Sequence, residues 1–124
     1  MTNDSYREQS IKAASAVLEK GHSDPANLRE LLIWTTSKTT CEMVEAYFKK
    51  HHADPALLQA LFAIAAEGED AGDAPWAAAN TIADFPASML AKHRSELVEL
   101  SKHQWSYLSK PAQDALAKIA AHAT

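Results

Sequence analysis

The chain has 124 residues, the length of a single domain, and 25 of its hydrophobic residues are Ala, which leaves 33 larger apolar side chains for a core. Ala and Leu together number 37 against eight Val and Ile, and 12 Lys and Arg stand against 16 Asp and Glu, for a net charge of −4. These values exclude an all-β fold, a low-complexity chain and a strongly basic nucleic-acid binder.

The opening MTNDSYREQS holds no apolar run, so no secretory signal is expected. No stretch approaches the roughly 18 consecutive apolar residues of a membrane span, and no membrane partner is expected. The one cysteine, Cys41, leaves no partner for an internal disulfide. A cytoplasmic location follows as the expectation.

Seven helical segments are predicted in chain order. Residues 5–20 follow Asp4 as an N-cap, place Ile11, Ala14 and Leu18 at helical spacing, and stop at Gly21. Residues 25–34 open with Asp24-Pro25, a cap followed by a proline whose missing N–H costs nothing in the first turn. Leu28, Leu31 and Leu32 form the apolar face of that helix. The run TTSKTT at 35–40 interrupts it, because Ser and Thr compete for backbone hydrogen bonds. A third helix covers about 40–51, with Cys41, Val44 and Phe48 on one stripe, so Cys41 reads as a small buried hydrophobe rather than a nucleophile. The fourth, 55–67, is apolar nearly all round and is expected to be the most buried. GEDAGDA at 68–74 reads as a loop. Helices at 75–85, 86–102 and 111–122 follow, the last opened by Ser109 and Pro111.

An internal repeat runs through this pattern. The segment beginning His22-Ser23-Asp24-Pro25-Ala26 aligns at an offset of 30 residues with His52-Ala53-Asp54-Pro55-Ala56, and the leucines Leu28 and Leu31 align with Leu58 and Leu61. Weaker echoes follow at Pro86-Ala87 and Pro111-Ala112. A period near 30 is that of a helical hairpin. The expected fold is therefore all-α, one domain over 1–124, built as a short α-solenoid of about three hairpins plus a terminal helix, with an irregular helical bundle as the alternative. Shared capping chemistry can also recur without a true repeat. The hairpin period and Ala-rich helices such as Trp76-Ala77-Ala78-Ala79-Asn80-Thr81-Ile82 resemble HEAT- or armadillo-like α-helical repeats over residues 22–122.

The charge is unevenly placed. Residues 1–50 hold seven basic and seven acidic residues. Residues 51–91 hold no Lys or Arg and six acids: Asp54, Glu67, Glu69, Asp70, Asp73 and Asp84. Residues 92–124 hold five basic and three acidic residues. Four of the acids fall at 67–73 beside Trp76, where they form either a merely solvated loop or a negative field suited to a cationic partner. An adjacent Trp is a good interface anchor. The predicted partner-binding residues are accordingly Glu67, Glu69, Asp70, Asp73, Trp76 and Asp84. The loop lacks the register of a calcium-binding EF-hand loop.

Nothing in the chain composes a catalytic constellation. Its histidines, His22, His51, His52, His93, His103 and His122, show no zinc-binding spacing, and phosphate-binding glycine loops and a nucleophile elbow are absent. His93 lies between Leu90 and Leu97 and is expected to be buried against a backbone carbonyl. The pairs Glu42/Glu45 and Glu96/Glu99 are expected on solvated helix faces. No cofactor, no metal and no nucleic acid are expected, since phosphate contacts need clustered cations. Two of Trp34, Trp76 and Trp105 are expected to pack between helices.

The sequence thus points to a non-enzymatic binding module. In size, acidity and helical character it resembles the general profile of bacterial toxin-immunity proteins of the contact-dependent growth inhibition type. That resemblance implies a basic toxin domain as partner, neutralised by occlusion of its active site or by locking of a neighbouring surface. The alternatives are a helical-repeat adaptor or homodimer, with Trp34 or Trp105 at the subunit contact, and a small metal-dependent enzyme using His51, His52 or His103.

Overall fold

The computed structural model describes residues 3–68 and 72–123, with 3, 4 and 123 described by backbone alone. The fold is all-α, with helices α1 (Asn3–Lys20), α2 (Pro25–Trp34), α3 (Cys41–Lys50), α4 (Pro55–Ala65), α5 (Asp73–Ala83), α6 (Ala87–Leu90), α7 (Arg94–Ser101) and α8 (Ser106–Ala123). Among the described residues, no helix is long and apolar enough to cross a membrane. Contacts gather into two compact units, Met1–Lys50 and His51–Thr124.

In the first unit α1, α2 and α3 each pack on the other two. The helix starts at Asn3, so Asp4 lies within the first turn rather than capping it, a place where a carboxylate still meets unpaired N–H groups. Of the three apolar positions expected to face inward, Ala14 is fully buried, Leu18 is half-buried and Ile11 is exposed. α1 ends at Gly21, whose φ of 76° is the left-handed conformation that favours glycine. Asp24 caps α2 as expected, its Oδ1 accepting from the Ala26 N–H at 3.0 Å. Asn27 is buried and donates through Nδ2 to the carbonyls of Val17 (2.9 Å) and Gly21 (2.5 Å), fastening α2 to the end of α1.

The 35–40 interruption works through side chains. Thr36 Oγ1 donates to the Ile33 carbonyl at 2.6 Å and Thr40 Oγ1 to the Trp34 carbonyl at 2.8 Å, satisfying the end of α2. Thr40 is fully buried. Cys41 is only half-buried, because it opens α3 at the rim while Val44 and Phe48 take the core positions; its Sγ lies 3.7 Å from the Lys38 carbonyl.

The second unit repeats the same helix start. Asp54 has nearly the backbone of Asp24 and accepts from the Ala56 N–H at 2.9 Å. α4 buries Leu57, Leu58, Leu61, Phe62, Ile64 and Ala65, as its apolar character predicts. It packs on α5, and α5 packs on α8, which also receives α6 and α7. α5 opens at Asp73 rather than Pro75, and Pro75 occupies the first turn, where an N–H has no helical partner.

Two predicted helices differ in form. The segment expected as one helix over 86–102 is broken: α6 passes into a 3₁₀ turn at Ala91–His93 before α7. His93 leaves helical geometry at φ −119°, ψ 27°. α8 begins at Ser106, five residues before Pro111, which lies inside the helix. The buried side chains of Leu108, Ala112, Ala115 and Ile119 hold this helix in place through packing, which overrides the local cost of the proline.

Candidate functional site

The described members of the predicted acidic patch lie just beyond α4 and at the two ends of α5. Glu67 is exposed just beyond α4. Glu69 and Asp70 lie outside the described residues. Asp73 is exposed in the first turn of α5, and Trp76 follows one turn later, half-buried. Asp84 caps the other end of α5, roughly 16 Å along the helix from Asp73 by the rise per residue, so it belongs to a different place.

Asp73 and Trp76 line a common cleft of about 280 Å³, and Trp105 and Tyr107 complete it. The rings of Trp76 and Tyr107 meet edge to face, centroids 5.9 Å apart at 70°, and those of Trp105 and Tyr107 do the same at 5.3 Å and 73°. Tyr107 thus stands between two tryptophans while remaining 56 % exposed. Aromatic pairs prefer this geometry, which aligns a ring's positive edge with its neighbour's negative face.

The turn before α8 positions Trp105. Its N–H donates to His103 Nδ1 at 3.0 Å, and its carbonyl accepts from Leu108 and Ser109 as α8 begins. Trp105 and Tyr107 were not among the predicted site residues; the aromatic pair two residues apart was their only local signal.

A larger groove of about 570 Å³ runs between α4 and α7, floored by Phe62, Ala63, Ala66 and Leu100 and edged by Gln59, Glu96, Glu99 and His103. His93 lies beside it with its ring stacked on Phe62, centroids 4.8 Å apart. Its Nδ1 is 3.1 Å from both carboxylate oxygens of Glu96. His93 is therefore partnered by a carboxylate rather than by a backbone carbonyl. Glu96 sits at the third position of α7 and reaches back to the residue before the helix, as in a capping box, but meets a ring instead of a backbone N–H.

Two other histidines meet aromatic side chains. His22 Nδ1 lies 2.6 Å from the Tyr47 hydroxyl, and the His52 ring packs against Phe85 at 4.6 Å. Among the described residues, no group of three or more His, Cys, Asp or Glu is placed to hold a metal ion. Compared with family models, curated proteins and solved structures, the chain matches none of them.

Proposed function

We propose that the chain is a protein-interaction module that receives a cationic protein partner on the face formed by the start of α5 and the start of α8. The supporting observation is the cleft in which Asp73 joins Trp76, Trp105 and Tyr107. Aromatic anchors beside a charged rim are the composition of binding hot spots. The charge supports the same reading: the second unit holds nine acidic residues against five basic, while the first is balanced. Such a field accelerates association with a basic surface.

The partner class that best fits a small acidic helical chain is a basic bacterial toxin domain. On this reading the chain is an immunity protein that covers the toxin's functional surface and performs no chemistry itself. Calorimetric titration against a toxin domain encoded beside this chain's gene tests the reading. Asp73→Lys with Trp76→Ala is expected to weaken binding at least about a hundredfold, in line with the loss of one hot-spot anchor and one charge contact. Unchanged affinity overturns the reading.

A further inference from the structure

We infer that the cleft between Asp73, Trp76, Trp105 and Tyr107 binds the guanidinium group of a single arginine side chain. This rests on the partner-binding reading above and narrows it to one chemical group.

Three features of the cleft converge. Its walls are aromatic, and the two edge-to-face contacts to Tyr107 set the three rings at steep angles to one another rather than in one stack. Each edge-to-face contact occupies only one of the pair's four ring faces, and an unoccupied face is the negative part of the ring quadrupole. Among the described residues that line it, the carboxylate is that of the exposed Asp73. Its volume, about 280 Å³, accommodates a planar head group with part of its aliphatic stem but not a folded segment of chain.

Charge decides the sign of the ligand. The start of α5 carries a partial positive charge of about half a unit, which fades within the first turn. Asp73 sets a full negative charge against it in that same turn. The sequence adds three further acids at 67–70 and supplies no Lys or Arg anywhere between 51 and 91. A cation is therefore favoured over an anion.

Arginine fits better than lysine. A guanidinium is planar, weakly hydrated and able to stack on an aromatic face while forming paired hydrogen bonds to a carboxylate. An ammonium is a compact, strongly hydrated charge that gives up more on leaving water. The α4–α7 groove has carboxylates too, but Glu96 is engaged by His93, and among its described lining residues Phe62 stands without a Trp or Tyr beside it, so the three aromatic walls are missing.

The test is an NMR titration of the whole chain with N-acetyl-arginine amide, following the indole N–H signals. Trp76 and Trp105 are expected to shift saturably in the millimolar range, while Trp34, in the first unit, serves as the unmoved control. N-acetyl-lysine amide and tetramethylammonium are expected to bind at least about fivefold more weakly. Asp73→Asn, an exposed and nearly isosteric change, is expected to weaken the arginine probe about tenfold, and Tyr107→Leu by a similar factor. No saturable shift at Trp76 or Trp105 overturns the inference, as does equal or tighter binding of tetramethylammonium or lysine, or an Asp73→Asn variant that binds as well as the native chain. If the arginine probe fails while Trp76→Ala still abolishes capture of the basic protein, this inference falls and the partner-binding reading stands.

Discussion

Tyr107 meets Trp76 edge to face at 5.9 Å although 31 residues separate them in the chain. The pair ties the first turn of α8 to the first turns of α5, so the cleft exists only in the folded second unit. Replacing Tyr107 with Ala removes the ring that both tryptophans touch. The expected cost to stability is small, about 0.5–1.5 kcal/mol for each aromatic pair at most, because Tyr107 is largely exposed. Binding of a basic partner is expected to fall about tenfold or more. Urea unfolding and calorimetry on the same variant separate the two effects; a large stability loss with intact binding would make Tyr107 a packing residue instead.

The matched helix starts predict matched penalties. Asp24 and Asp54 accept from the N–H two residues on at 3.0 and 2.9 Å, with closely similar backbone angles. Asp24→Ala and Asp54→Ala are each expected to destabilise their unit by about 1 kcal/mol. Denaturant midpoints at constant slope measure this. A negligible effect of Asp24→Ala would show that its cap is decorative.

Asn27 marks where the two aligned helix starts differ. Its counterpart thirty residues on is Leu57, which is simply buried, whereas Asn27 donates to two carbonyls at the end of α1. Asn27→Leu is expected to cost about 1–3 kcal/mol, because both carbonyls lose a donor in a partly buried place. Faster amide exchange in the last turn of α1 would accompany the loss, and an unchanged stability would refute the role given to Asn27.

Lys118 supplies the cation that the 51–91 stretch lacks. Its Nζ donates to the carbonyls of Ala83 (2.6 Å) and Phe85 (3.0 Å), closing the C-terminal end of α5 from α8. Lys118→Met keeps most of the stem and removes the charge. A loss of about 0.5–1 kcal/mol is expected, reduced by the exposure of the side chain. Lys118→Arg is expected to recover part of it in thermal unfolding.

Local chemistry made much of the helical layout legible. Asp-Pro starts, the Gly21 stop and the Thr-rich break each act within a few residues, and each forms as expected. The apolar run of α4 likewise marked it as buried. Elements governed by distant packing were harder to read. α8 continues through Pro111, with Leu108, Ala112 and Ala115 buried, and the break at His93 brings its ring onto Phe62, thirty-one residues earlier. The candidate site divides the same way. Asp73 and Trp76 are near neighbours on one helix and were found together. Trp105 and Tyr107 reach them only through the pairing of α5 with α8, which no short-range pattern encodes, and Asp84, close to Asp73 in the sequence, lies a whole helix away from it.

Amide hydrogen exchange with a bound basic partner reports the binding face most directly. Protection is expected at residues 72–76 and 103–107, with α1–α3 exchanging as in the free chain. Protection confined to α1–α3, or to the α4–α7 groove with 72–76 and 103–107 unchanged, would contradict the assignment of the aromatic–acidic cleft as the site of recognition.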